Sequence, residues 1–208
     1  MPGHGDVAAV LDGLCQQARS TSATQASQMG ATQRAEQHLA IRWTVLEQSD
    51  AALLQHVNAT DAGSLSKHAV LLLGALTHVA PQDDAAAIAT CQARLATIML
   101  AILKRTAADD DFVPHAAAII AAAAACLSSC GTAALTGVID LAVGALRDGA
   151  PAASQLLQLL PACVSVVVAR EGESGAHVAK AHAAVKQVCA LAWPQADTLS
   201  ILQVRVGG

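Results

Sequence analysis

Cys126 and Cys130 stand at positions i and i+4 of an Ala-rich run, which puts both thiols on one face of a helix, with His115 upstream. Thiolate and imidazole are zinc ligands, but a tetrahedral site needs two more of them in a closer arrangement, so the pair reads as two packed cysteines. His68 and His78, like His177 and His182, miss the i, i+4 spacing of a helical metal pair and fall on different faces. They are expected as partly exposed helix histidines. Asp109-Asp110-Asp111 could hold a cation or a basic partner, yet three adjacent carboxylates between helices read more simply as a solvated loop. Gly172-Glu173-Ser174-Gly175 lacks the lysine and the preceding strand of a phosphate loop, and no G-x-S-x-G elbow occurs. The sequence therefore predicts no catalytic residue, no metal site and no cofactor, and a protein that is not an enzyme.

The elements that carry these residues follow from composition and period. Of the 208 residues 54% are hydrophobic and 13% charged, the opposite of a disordered composition. Ala dominates, and Trp43, Trp193 and Phe112 are the only aromatic residues, which excludes ring-filled cores and base-stacking platforms. With 12 Lys plus Arg against 16 Asp plus Glu, no positive excess is available for phosphates, and direct nucleic-acid binding is excluded. Cys15, Cys91, Cys126, Cys130, Cys163 and Cys189 lie scattered among apolar neighbours, without the spacing of a disulfide framework. The start, Met1 to Asp6, has neither a signal-peptide nor a transit composition. Cytoplasm and nucleus are the expected compartments. The apolar stretches His115 to Cys130 and Leu156 to Ala169 are interrupted by Ser128, Ser129, Gln158, Pro161 and Ser165, so no membrane insertion is expected.

The hydrophobic period is helical nearly throughout. A first helix is predicted behind Asp6, carrying Val7, Val10, Leu11 and Leu14 to about Arg19, followed by a loop over 20–30 and a helix over 32–48. Ser49 is predicted to cap a short helix with Leu53, Leu54 and Val57. Thr60 and Asp61 open the next, which buries Leu65, Ala69, Leu72, Leu73, Leu76 and Val79 until Pro81 stops it. Asp83 and Asp84 begin a long helix ending at Lys104 and Arg105, and Pro114 takes an N1-like place in the Ala-rich helix that Gly131 ends. Thr132 caps the segment through Leu146, Pro151 starts a helix kinked at Pro161, and Ser174 caps the helix running to about Trp193. Val164 to Ala169 is β-branched enough to suit a strand as well. The expected fold is all-α, a right-handed α-solenoid of HEAT- or armadillo-like helix pairs over about 6–48, 49–80, 83–130, 132–169 and 174–206, matching a period of roughly 40 residues. Only Thr198 to Val206 remains for the last helix, which points to a fragment of a longer array.

Two segments carry a resemblance. Arg34-Ala35-Glu36-Gln37-His38-Leu39 through Leu46-Glu47-Gln48-Ser49-Asp50-Ala51-Ala52-Leu53-Leu54 resembles the first repeat boundary of the importin-β superfamily. Val113 to Leu146, followed by Gln155-Leu156-Leu157-Gln158-Leu159-Leu160-Pro161, is similar to the Ala-rich pair and Leu-rich helix of SR-protein transportins. The family's Trp before Leu-Leu is here replaced by Ala51 and Ala52. The resemblance implies a nuclear transport receptor fragment whose partners are the Ran GTPase, cargo proteins and Phe-Gly nucleoporins. Its inner helices would be about 32–48, 60–79, 114–127 and 151–169. A generic HEAT or armadillo adaptor, and a small helical membrane-associated protein, are the alternative readings.

Overall fold

A computed structural model describes Ala9 and residues 11–13, 49–77, 85–172 and 174–192. Among the described residues every element is helical and no strand occurs, so Val164 to Ala169 is helix. The predicted loop over 20–30, the helix over 32–48, the stop at Pro81 and the segment 198–206 lie outside the described residues.

Helix α1 (Asp50–Ala59) starts where its sequence says, because the Ser49 hydroxyl accepts the Ala52 N–H at 3.2 Å. Thr60 does not open the next helix but closes this one: its N–H and its hydroxyl both donate to the His56 carbonyl, at 3.1 and 2.7 Å. Asp61 alone caps α2 (Ala62–Thr77), its carboxylate accepting the Ser64 N–H at 2.9 Å. The predicted apolar stripe Leu65, Ala69, Leu72, Leu73 and Leu76 is buried.

Helix α3 (Ala85–Ala108) buries Cys91, Leu95, Ile98, Met99 and Ile102. It runs past Lys104 and Arg105, and the stop comes from Asp109, whose carboxylate accepts the Asp111 N–H at 3.0 Å. The acidic triplet is thus the capped start of a 3₁₀ helix (Asp110–His115) rather than a loop, although Asp110 and Asp111 are exposed. Because that cap starts the helical run early, Pro114 falls inside the 3₁₀ helix and α4 (Ala116–Cys126) begins after it. A 3₁₀ turn (Leu127–Ser129) continues α4.

Gly131 opens rather than ends a helix. Its extended backbone lets its carbonyl accept the N–H groups of Ala134 and Leu135, so Thr132 is the first residue of α5 (Thr132–Arg147) and not its cap. At the other end Gly149 turns left-handed at φ 67, Ala150 donates to the Ala145 carbonyl at 2.8 Å, and Gly149 donates to that of Leu146 at 3.3 Å. The bend expected at Pro161 is a 3₁₀ turn (Leu157–Leu159) between α6 (Ala153–Leu156) and α7 (Leu160–Glu171), with Pro161 in the first turn of α7. Ser174 does not cap α8 (Ala176–Ala192). Glu171 does, its Oε2 accepting the His177 N–H at 3.2 Å.

The helices pack in two rows: α1 on α3, α3 on α5 and α5 on α8 in one, α2 on α4 and α4 on α6 in the other, which α7 continues beyond the 3₁₀ turn after α6. Contacts of α2 with α3, and of α7 with α5 and α8, join the rows. Small residues set the spacing, for a Cβ at Gly137 of α5 would stand 3.3 Å from Leu100 Cδ1 of α3.

Polar ties repeat along both rows. Arg105 of α3 reaches the carbonyls of Val57 and Thr60 at the end of α1, 48 and 45 residues back. Arg170 of α7 reaches those of Cys130 and Ser128, 40 and 42 residues back, after the end of α4. Arg94 pairs with Asp50 at 3.5 Å, and Lys180 with Asp140 at 2.6 Å.

Asp110–Ser129 and Ala153–Glu171 are long and apolar enough, by length and composition, to cross a membrane. The helical path continues through the polar interruptions that the sequence reading took as breaks. Only 39% and 33% of their apolar windows are buried. Apolar core helices pass the same length test.

Phe112 is the aromatic anchor of this region: fully buried, it lies under the Arg105 guanidinium, 4.8 Å from Cζ to the ring centroid. Phe112→Ala removes the ring and leaves a cavity, and a loss of about 3–5 kcal/mol is expected in urea unfolding. A loss below about 1 kcal/mol would contradict this packing.

Candidate functional site

The corner between α1 and α2 gathers four polar side chains that no local period announces. His56 sits in the last turn of α1 and His68 two turns into α2, and the chain reversal at Thr60-Asp61 brings their rings face to face. The centroids are 5.2 Å apart with an interplanar angle of 24°. His56 Nε2 lies 3.2 Å from His68 Nδ1, and His68 Nε2 lies 3.0 Å from Asp12 Oδ1. At the other end His56 Nδ1 is 3.3 Å from the Thr60 hydroxyl. The result is a continuous row Asp12, His68, His56, Thr60.

Burial is graded along the row. His68 is 2% exposed, which overturns the expectation of a partly exposed helix histidine; Leu65, Ala69 and Leu72 around it on α2 are buried with it. His56 is half-buried and Asp12 is 59% exposed. A buried imidazole needs partners for both nitrogens, and this one has them.

Carboxylate, imidazole and hydroxyl in series are the parts of a nucleophile relay. The geometry opposes that use. The Thr60 hydroxyl donates to its own helix carbonyl at 2.7 Å, and the nearby Arg105 guanidinium is held by the carbonyls of Val57 and Thr60. The row binds the segment that carries Asp12 to the α1–α2 corner.

The remaining sequence candidates are structural. His177 is half-exposed on Glu171, Nδ1 to Oε1 2.5 Å, and His182 is exposed; His78 lies outside the described residues. Partial desolvation raises the Glu171 carboxyl, but the His177 N–H and imidazole outweigh it and hold it below the ordinary range. The Ser64 N–H likewise lowers the Asp61 carboxyl. His115 stands beside Gly63 of α2. Cys126 donates to the Ala122 carbonyl at 3.1 Å and Cys130 to that of Cys126 at 3.4 Å. No cluster of three metal-ligating side chains occurs among the described residues.

His56 was not singled out in the sequence. Its one local signal was the i, i+4 spacing to Thr60, whereas Asp12 lies 56 residues from His68.

Comparison of the chain with family models, with curated proteins and with solved structures finds no match.

The thiols give a pH dependence. Burial pushes Cys130 up to about 11, with Cys126 adding to it and Arg170 opposing; burial and then Cys130 push Cys163 up to about 12. An unfolded chain releases these protons near 9.0. Between 9 and those values the unfolded state binds fewer protons than the folded one, so stability falls as pH rises. Urea unfolding is expected to show a midpoint that declines above pH 9, and Cys130→Ala and Cys163→Ala together flatten that decline. An unchanged slope in the double variant would refute the assignment.

Proposed function

We propose that the chain is a protein-binding scaffold, an α-solenoid of HEAT- or armadillo-like helix pairs. One observation carries this reading: cations in both rows reach 40 to 48 residues back along the chain, the spacing of a two-helix repeat. In a solenoid each repeat buries its apolar face against its neighbours, and the rows become two long surfaces. The row α2, α4, α7 is the binding surface in this reading. Its exposed positions include Val70, Ala118, Ala121, Ala125 and Ala162, while its carboxylates lie at helix ends. Such a surface takes up a partner by apolar contact.

The narrower form of the proposal is a nuclear transport receptor fragment that binds cargo proteins and the Ran GTPase. It is supported by the segments that resemble the importin-β superfamily and transportins, which take in the first half of α1, all of α4 and nearly all of α5. In this form the inward-facing helices are those expected over 60–79, 114–127 and 151–169, the fourth, over 32–48, lying outside the described residues. A helical membrane-associated protein is the alternative, favoured by the two bilayer-length stretches.

Scattering separates the architectures: a compact domain of this length has a radius of gyration of about 17 Å, and the solenoid is expected to exceed it. Titration onto immobilised protein tests the narrower reading, with Leu72→Asp as a misfolded control. GTP-loaded Ran is expected to bind and the GDP-loaded form to bind much more weakly. Equal binding of both forms, or none by folded protein, returns the reading to a generic adaptor; a requirement for detergent favours the membrane alternative.

A further inference from the structure

The turn between α7 and α8 is shaped around one side chain. Glu171 is the last residue of α7, where the helix dipole disfavours a carboxylate, and it reaches forward to the start of α8, where the dipole favours one. Its Oε2 accepts the His177 N–H at 3.2 Å, and its Oε1 meets His177 Nδ1 at 2.5 Å. From α5 the Thr132 hydroxyl also helps to hold the charge. Two glycines make the space. Gly172 turns left-handed at φ 68, and a Cβ at Gly175 would stand 2.4 Å from Glu171 Oε2 and 2.5 Å from Glu171 Cβ.

We propose that Glu171 is a releasable joint of the array: as a carboxylate it fastens the start of α8 to the end of α7, and once protonated it lets that start open while α5 stays folded. A neutral carboxyl is the weaker acceptor and has no attraction for a charged ring. Imidazoles are cations at the acidity where carboxyls take up protons, so His177 then places a positive charge in the first turn of α8 with no counter-charge beside it. That is the positive end of the helix dipole, and a cap gives way to a repulsion. Little else anchors this start. Ala176 and Ala179 are exposed, and among the described residues of α8 only Val178, Ala181 and Ala184 are buried.

The other charged groups near the turn are engaged elsewhere or exposed. Arg170, beside Glu171 on α7, is committed to the carbonyls of Cys130 and Ser128. On α8, Lys180 pairs with Asp140 of α5 at 2.6 Å, and His182 and Lys186 are exposed. Arg147 and Asp148 lie at the far end of α5. Asp140 is thus a second carboxylate tying α8 to α5, and the experiment has to separate it from Glu171.

The sign of the dependence follows. Partial desolvation raises the Glu171 carboxyl, but the His177 N–H and imidazole outweigh it and hold it below the ordinary 4.5. The charged form therefore stabilises the closed joint fully above 4.5, and that contribution is lost as pH falls through the lower folded value. The experiment is an acid titration of the intact chain. The 13C shift of the Glu171 carboxyl reads its protonation, and amide exchange of His177, Val138 and Ala142, each set against the intrinsic rate at that pH, reads the joint and the core of α5. Protection of His177 is expected to fall about tenfold as the Glu171 carboxyl titrates, with a midpoint below 4.5, while Val138 and Ala142 stay protected. Glu171→Ala, which removes the carboxylate, and Gly175→Ala, which expels it from the turn, are expected to show the lowered His177 protection already at neutral pH. Asp140→Asn leaves the midpoint in place. Protection of His177 that does not follow the Glu171 carboxyl, an α5 that opens at the same pH, a midpoint moved by Asp140→Asn, or His177 as protected in both alanine variants as in the unaltered chain would each overturn the proposal.

Discussion

A helix leaves its last carbonyl oxygens without partners inside the helix, and burying such an end against a neighbour is costly unless a donor arrives from elsewhere. Two arginines supply that donor here. Arg105 leaves α3 to hold the end of α1, and Arg170 leaves α7 to hold the turn that follows α4. Each guanidinium reaches two carbonyls, as its forked donors allow. Because each clamp comes from a later helix of the same row, satisfying the helix ends also sets the order in which the helices stack. The corner at Thr60 sits directly on such a clamp, and that is why the histidine row has a fixed frame.

Much of this was legible in the chain because it is written at short range. Ser49 and Asp61 do what polar residues before an apolar stripe do, and the stripes of α2 and α3 are buried where the period puts them. The boundaries that moved share a cause. Asp109, Gly131 and Glu171 act as caps: Gly131 takes that role from Thr132 and Glu171 from Ser174, while Asp109 starts the helical run ahead of Pro114, which was expected at its first position. Which of two adjacent candidates wins depends on packing that the sequence does not display.

His68 was misread, and His56 passed over, for a different reason. Helical spacing tests whether two residues share a face of one helix, and His56 and His68 belong to two helices joined by a turn. Their contact spans 12 residues and the contact with Asp12 spans 56, so no period links them. The same blindness hid the arginine clamps: Arg105 was expected only to end its own helix, whereas its charge serves another helix.

The outer face of α4 has a consequence of its own. Ala117, Ala118, Ala121, Ala124 and Ala125 are all exposed, and an alanine has no side-chain rotamers to lose. When most protein surfaces meet a partner, long side chains must be frozen, at about 0.5–1.5 kcal/mol each. A surface of methyl groups is already frozen. It gains little from each contact but gives up almost no disorder in making it, so it favours partners whose backbone comes close over ones that must find a matching pocket.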